Sequence, residues 1–392
     1  MIFKLKDLGE IITGNTPSKS IDEYWDSPDI CFVKPDIIDD SGITEISESS
    51  EHISEAARSK ARIVGDNALF VTCIGSIGKI GIAKSGEYAF NQQINAIVPN
   101  KMANPRYLAY AILHSKDRLS AIANAPVVPI INKTQFGDFE LKIDAESDKQ
   151  AEIVHVLDTV AAIMEMRRHQ LYACDELIKA RFVEMFGDPE LNSMGWPTDK
   201  LGSLLSIEPQ NGLYKPQSDY VHDGTGTPIL RIDAFYDGKV TGFSRLKRLN
   251  CTDAEKCRYL LHENDIVINR VNSIEYLGKC AWITGMTEPT VFESNMMRFH
   301  ADESIIDPCY LTRLLCSTYI YNQILNRAKK AVNQASINQG DVQSLMILIP
   351  SIDLQRQFAS FVSQIDKSKA VVQAALDKVR VLFDSLMQKY FG

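Results

Sequence analysis

The sequence predicts an α+β protein built twice: two pseudo-symmetric α/β globular units separated by two long antiparallel coiled-coil helices. Three observations carry this. The phrases "FVEMFG" (182–187) and "LMQKYFG" (386–392) close two segments that match at one offset. Each of those segments holds an unbroken heptad pattern. The remainder of each half carries short apolar runs of strand length.

The duplication comes first. Gln150 pairs with Gln355, Ile153 with Phe358, Leu157 with Val362, Val160 with Ile365 and Phe186 with Phe391, all at an offset of 205. Unrelated segments would not hold one offset with matching apolar positions. Further back the offset drifts. Leu8-Gly9 answers Leu201-Gly202, "EA" at 55–56 answers "DA" at 253–254, and Gly78-Lys79 answers Gly278-Lys279. Pro105, Tyr107 and Leu108 answer Pro308, Tyr310 and Leu311, and "INK" (131–133) answers "INQ" (337–339). Insertions therefore fall in the globular part, and the terminal element keeps its length. A period near 200 residues is too long for a solenoid.

The fixed-length element reads as a helix. Ile153, Leu157, Val160, Met164, Arg167, Leu171, Cys174, Ile178, Arg181 and Met185 alternate steps of four and three, which is coiled-coil spacing. The second copy runs Phe358, Val362, Ile365, Lys369, Val372, Leu376, Val379, Phe383, Leu386, Tyr390, and neither run contains Pro or Gly. Each seam covers ~33 residues, or about 50 Å at the rise of an α-helix. Neither stripe is buried by its own helix, so the two are expected to pair, with the charged seam members fixing register. The expected layout is a first unit at 1–147, a first helix at 148–187, a linker at 188–198, a second unit at 199–350 and a second helix at 351–392. Gly187 is the expected stop of the first helix.

Inside the globular parts, "NALFVTCIG" and "INAIVP" read as strands in the first copy, and "DIVINRV" and "MMRFHA" in the second. Helices are expected after Asn104-Pro105 and Asp307-Pro308, with Asp307 as cap and each Pro at the first helical position. Polar loops fall at matching places: "TCIGSIGK" (72–79), "NQQ" (91–93) and "INK" (131–133), against "NRVNSIEYLGK" (269–279), "ESN" (293–295) and "VNQASINQ" (332–339). Asn and Gln suit adenine, Arg and Lys suit guanine, and Gly75 and Gly78 let backbone amides approach a phosphate. Their recurrence in both copies is what singles them out.

Composition narrows the classes. The 392 residues carry 45% hydrophobic and 23% charged residues, ordinary for a soluble globular chain. No apolar run reaches the ~18 residues of a membrane span. The eight cysteines form no C-x-x-C, which argues for free thiols in a reducing cytoplasm rather than a disulfide framework. The net charge of −8 is against a simple nucleic-acid binder, so any such site is a local patch or shared with a partner. "GSIGKIG" lacks Walker spacing, no G-x-G-x-x-G is present, and no Asn/Asp-Pro-Pro-aromatic motif occurs. Glu140 and Lys142 form half of a nuclease metal motif. Their positions at an offset of 206 hold Met346 and Leu348, and Phe139, Leu141 and Ile143 alternate with them, so they read as the outer face of a strand.

Taken together, "LGEIITGNTPSKSIDEYW", "GSIGKIGIA", "FNQQINAIVP", "INKTQFGDFELKI" and "KQAEIVHVLDTV" resemble the specificity (DNA-recognition) subunits of type I restriction-modification systems. The second copy supplies "LGSLL", "YLGKCAWI" and "SINQGDVQSLMILIPSIDLQRQFASFVSQID". The resemblance covers the whole chain, twice over. It implies two target-recognition domains reading the two halves of a split double-stranded DNA site, with paired helices that dock two methyltransferase subunits. Those partners use S-adenosylmethionine; motor-nuclease subunits of the full complex use ATP and Mg2+. This subunit itself is expected to be non-catalytic, to bind no cofactor or metal, to have no membrane role and to be cytoplasmic.

Under that reading the expected DNA contacts in the first unit are Thr72, Ser76, Lys79, Asn91, Gln92, Gln93, Asn132 and Lys133. In the second they are Tyr214, Lys215, Arg231, Asn269, Arg270, Asn272, Ser273, Lys279, Asn295, Asn333, Gln334 and Asn338. Arg270 is the foremost base reader, and Lys79 and Lys279 the phosphate contacts. Two rival readings are a non-DNA adaptor with protein-binding modules on a helical stalk, and a metal nuclease using Glu140 and Lys142.

Overall fold

The computed structural model describes residues 1–124 and 128–392. The chain forms two compact units, Met1–Gln170 with Val372–Gly392, and Leu171–Val371. The division crosses both long helices, so each unit holds a globular part, the start of one helix or its end, and a piece of the other.

The first unit is built on a five-stranded sheet in the order Gly9–Thr13, Ile94–Pro99, Leu69–Thr72, Ile80–Ala83, Ile43–Ile46. Neighbours are antiparallel except the last pair, which is parallel. The expected runs "NALFVTCIG" and "INAIVP" supply its centre. A second, four-stranded sheet packs on it through Val33, Phe70, Tyr88 and Phe90. Ile2–Lys4 pairs with Glu140–Lys142; there Leu141 is buried while Glu140 and Lys142 face out.

The second unit repeats the plan: Leu205–Asn211, Met296–Ala301, Asp265–Asn269, Cys280–Trp282, Gly238–Val240, with Phe235–Tyr236 added at the edge. Thr198–Lys200 pairs with Met346–Leu348 as Ile2–Lys4 does with Glu140–Lys142. The short helices Pro105–His114 and Pro308–Leu315 begin at their prolines. Asn104 and Asp307 each accept two backbone N–H bonds from the first turn, satisfying donors that a helix start leaves open.

The long helices run Ser147–Phe186 and Ile352–Phe391, 40 residues each. At 1.5 Å per residue that is about 60 Å rather than the 50 Å of the heptad seams alone. Both start from matching anchors. The Gln150 amide is buried; it accepts the Asn104 N–H at 2.7 Å and donates to the carbonyls of Met102 and Asp144. Gln355 does the same with the Asp307 N–H at 2.8 Å and the carbonyls of Ile305 and Pro350.

No seam position is exposed. Leu157, Val160, Met164, Ile178, Phe358 and Val362 are buried, and Ile153, Leu171, Ile365, Val372, Leu376, Phe383 and Leu386 partly so. Within the first unit, Ile153 and Leu157 share a core with Phe383, Leu386, Met387 and Phe391. Within the second, Ile178, Phe182 and Phe186 share one with Phe358 and Val362. The start of one helix thus meets the end of the other in both units, as antiparallel pairing requires. The heptad reading missed Phe182, Phe186, Met387 and Phe391, because the last turn packs on the globular part and not only on the partner helix. Phe391 lies 5.1 Å from the Tyr107 ring, and Phe186 lies 4.6 Å from that of Tyr310. The charged seam residues have partners: Lys369 reaches Asp175, Arg181 pairs with Glu184, and Arg167 donates to Gln170. Gly187 closes the first helix at φ +75°, its N–H on the Val183 carbonyl.

Candidate nucleic-acid interface

The three polar loops chosen from each copy converge, through the same backbone bonds. In the first unit Thr72 N–H donates to the Lys79 carbonyl, Cys73 N–H to that of Gln93, and Ile131 N–H to that of Cys73. In the second, Asn269 N–H donates to the Lys279 carbonyl, Arg270 N–H to that of Asn295, and Ile337 N–H to that of Arg270. The first bond of each triplet closes a local turn, while the other two join separate loops, so it is tertiary structure that gathers them.

A fourth segment joins them in both units. Gly14 N–H donates to the Ile94 carbonyl and Gly212 N–H to that of Met296, each at 3.1 Å. A Cβ on either glycine would sit 2.2 Å from a carbonyl oxygen, that of Asn91 or Glu293, so only glycine fits. This contact carries "GNTPSKS" and "GLYKPQS" onto the loop cluster. Thr16 accordingly donates its hydroxyl hydrogen to the Gln92 side chain at 2.8 Å.

The side chains then divide by where their polar heads go. Thr72 is fully buried; its hydroxyl bonds the Ser76 carbonyl and accepts the Lys79 N–H. Asn91 is buried and binds Gln93 by side chain and backbone. Asn132 caps the short helix Lys133–Gly137 in a reciprocal box with Gln135. Thr72 and Asn91 thus shape the loops instead of facing outward, a correction to the expected contact set, whereas Asn132 stays exposed while it caps. Lys79 is largely covered, with its amine 3.6 Å from Asp40. Ser76, Gln92 and Lys133 are exposed.

In the second unit Asn269 is buried against the Tyr276 carbonyl, and Asn338 caps Gln339–Gln343 in a box with Asp341. Lys215 is held by Glu255 at 2.9 Å and Asp219 at 3.3 Å; Glu255 foremost raises its pKa. Arg231 donates to the Tyr220 hydroxyl and lies 3.5 Å from Glu293. Burial pushes the Glu293 carboxyl above the ordinary range, while the Ile232 N–H and Arg231 oppose this. Arg270, the foremost expected base reader, instead donates to the Ser294 carbonyl at 3.0 Å and is half-buried. Its equivalent by backbone bonding is the buried Cys73, so this position braces the loops. Asn272 accepts the Ser273 N–H, and Ser273 precedes a short turn of helix. Asn295 is half-buried and holds the Arg270 and Val271 amides with its carbonyl. Lys279 lies over the Tyr276 ring at 4.1 Å. Tyr214, Asn333 and Gln334 stand exposed.

Sequence reasoning missed a hairpin. Lys329–Lys330 and Ala335–Ser336 pair antiparallel, and Val271–Asn272 adds a third strand. Bridges Ile74–Ile130 and Asn124–Ile130 repeat the arrangement in the first unit. No sequence signal marks it: the strands around "AVNQ" are Lys-Lys and Ala-Ser, two residues each and without strand preference. Among the described residues no group of three or more His, Cys, Asp or Glu is placed to hold a metal ion, and no helix is long and apolar enough to cross a membrane. Glu140 is exposed, and the Lys142 amine donates to the Gly392 carbonyl.

Comparison with known proteins bears on this arrangement. A family model described as the type I restriction modification DNA specificity domain matches residues 1–173 and again 194–379. The putative type I restriction enzyme MjaX specificity subunit of Methanocaldococcus jannaschii is 29% identical over 198 residues, 50% of this chain and 45% of that protein. The MjaIX specificity subunit of the same organism is 23% identical over 417 residues, covering 99% of this chain and 91% of that one. Among solved structures, the type-I restriction-modification S subunit from M. genitalium matches with a TM-score of 0.58 at 14% identity, covering 100% and 96% of the two chains. A chain from a structure of type I R-M complex assembly gives 0.55 at 16% identity, covering 100% and 97%. At such identities the structural likeness speaks to the fold.

Proposed function

The chain belongs to the type I restriction modification DNA specificity domain family and carries that domain twice, and from this premise we propose that each unit reads one half of a bipartite, asymmetric double-stranded DNA target. The observation that carries the reading is the pair of loop clusters. Identical backbone bonds hold both, yet they offer different side chains: Ser76, Gln92 and Lys133 in one, Tyr214, Lys279, Asn333 and Gln334 in the other. A shared frame with different heads suits two different half-sites. Phosphate contacts position a protein on DNA, and polar heads at base edges specify the sequence. The buried residues Thr72, Asn91 and Asn269 hold the frame; Lys79, Lys215, Arg231 and Arg270 brace it.

In this reading the subunit is not itself catalytic. The paired helices dock two methyltransferase subunits, which bind S-adenosylmethionine and methylate adenine. Motor-nuclease subunits join them and use ATP and Mg2+. Partners closing round the DNA supply positive charge that a chain of net −8 lacks. The test is to express the chain with the methyltransferase subunits of its host and map methylated adenines across the genome. Two short specified blocks separated by a fixed unspecified gap are expected. A single contiguous motif, or no sequence-dependent methylation, overturns the reading.

A further inference from the structure

We propose that the hairpin Lys329–Ser336 is a ribbon that enters a groove of the target DNA, with Val332 against a base-edge methyl group and Lys329 and Lys330 on the flanking phosphates. The inference rests on the DNA-reading function above and goes beyond it, naming an element and a mode of contact.

The hairpin is rigid at its base and bare at its tip. Lys329 faces Ser336 and Lys330 faces Ala335 across two antiparallel strands. The Ala331 N–H closes the turn on the Gln334 carbonyl at 2.7 Å. Ala335 and Ile337 are buried in the unit's core, and the third strand, Val271–Asn272, is continuous with the Arg270 brace. The tip therefore keeps its position relative to the other reading loops. Val332 at the tip is 99% exposed, the most exposed large apolar side chain among the described residues.

One exposed valine is unremarkable by itself. What distinguishes this one is its company. Lys329 and Lys330 are both exposed, and among the described residues neither makes an ion pair with an acid, Glu275 across the adjoining cleft included. In this unit Lys215, Lys239, Arg248 and Arg298 each have a carboxylate; among the described residues Arg245, Lys247 and Arg258 make no ion pair either, so it is the adjacency of two such lysines to an exposed apolar tip that counts. Two adjacent unpaired cations beside an apolar tip, in a chain of net negative charge, fit a polyanion that also offers apolar edges. Duplex DNA is one: the major groove admits a two-stranded ribbon and displays the thymine methyl, which apolar side chains contact. Asn333 and Gln334, exposed beside Val332, are the amide side chains that match adenine edges.

The first unit has the same ladder without the lysines. Ile74, Ile130 and Asn124 bridge in the same order, Val128 and Ile130 are 45% and 40% exposed, and residues 125–127 lie outside the described residues. The contribution of charge is thus expected from the second unit's ribbon alone.

The experiment uses the full complex with its methyltransferase subunits. Val332→Ser and the double variant Lys329→Gln/Lys330→Gln are compared with wild type, and thermal melting of each checks folding, which exposed tip residues leave unchanged. The lysine variant is expected to weaken binding to target and non-target duplexes alike and to reduce the slope of log K against log salt by about two. Val332→Ser is expected to relax one position in one block of the methylation motif, by roughly 5- to 100-fold in preference, with the other block unchanged. Unaltered motif and unaltered salt slope in both variants, while wild type still methylates a bipartite site, overturn the ribbon and leave the function standing. Absence of any sequence-dependent methylation in wild type overturns the function and the ribbon with it.

Discussion

At one position in the central sheet the first unit buries Ala96 and the second buries Arg298. The register makes them equivalent: Ala96 pairs with Phe70, and Arg298 with Val267, on strands whose following residues bond alike. Around Ala96 lie Ala68, Phe70 and Phe90, an apolar packing with the two rings 5.4 Å apart. Around Arg298 lie Asp265, Gln210 and His300. Asp265 is fully buried and accepts from Arg298 at 3.3 Å and from the His262 N–H at 2.8 Å, with His300 Nδ1 at 2.9 Å. Gln210 takes the other Arg298 nitrogen at 2.9 Å. The same backbone thus tolerates an oily or an ionic filling. The sheet is fixed by ladder bonds and the outer layer, and each copy fills its interior differently.

The sharpest way to break that comparison is to remove Asp265. Asp265→Ala strands the Arg298 cation in the sheet and is expected to lower the second unit's stability by about 3–5 kcal/mol. Urea unfolding followed by hydrogen exchange at second-unit amides measures it. Adding Arg298→Ala and Val267→Phe copies the first unit's Ala68, Ala96 and Phe70 and should recover most of the loss. If the triple variant is no better than the single one, the two fillings are not interchangeable.

The helix ends come next. Phe186→Ala is expected to cost about 3 kcal/mol, as for other buried aromatic truncations. Phe391→Ala should cost somewhat less, because Phe391 is slightly more exposed, 7% against 1%. Equal losses would show that the two ring plugs count alike despite that difference in exposure. The buried amides give the opposite expectation. Gln150→Leu and Gln355→Leu each leave the same set of backbone groups unpaired, so each should cost ~1–3 kcal/mol, and similarly.

The smallest effect depends on pH. Asn91 and Glu293 occupy equivalent places, their N–H groups bonded to the Val33 and Leu230 carbonyls. Burial raises the Glu293 pKa above the ordinary 4.5. Below that value both folded and unfolded chains are protonated there, and no cost arises. As pH climbs past it the unfolded chain ionises first, so this group's contribution to stability falls until the folded carboxyl ionises too. Glu293→Gln should therefore gain on wild type as pH rises from 4.5, in denaturation curves read at the second unit. A flat difference would mean Arg231 fully offsets the burial.

Much of this was legible beforehand. The paired glutamines, the Phe-Gly ends, the prolines at helix starts and the heptad seams all stood in the sequence, because each is a local or periodic demand on the chain. Gln150 and Gln355 could be matched by offset without knowing what they bind. The loop residues were another matter. Thr72 and Ser76 sit in one turn and read alike as small polar residues, yet one is sealed inside and the other faces out. Asn132 and Asn338 are exposed and also cap helices, a second role the Gln135 and Asp341 three residues on did signal.

The sequence by itself determined that this protein is a doubled unit with two equal helices, and where those helices start and stop. Periodicity, capping and steric limits act between residues a few positions apart, so they can be read along the chain. Only the tertiary structure decided which polar side chains are free to meet a ligand. Lys215 is neutralised by Glu255 and Arg231 by Glu293, and Arg270 is tied to Ser294. Those partners lie 24 to 62 residues away, and a hydrogen bond or ion pair takes no account of distance along the chain, only of distance in space.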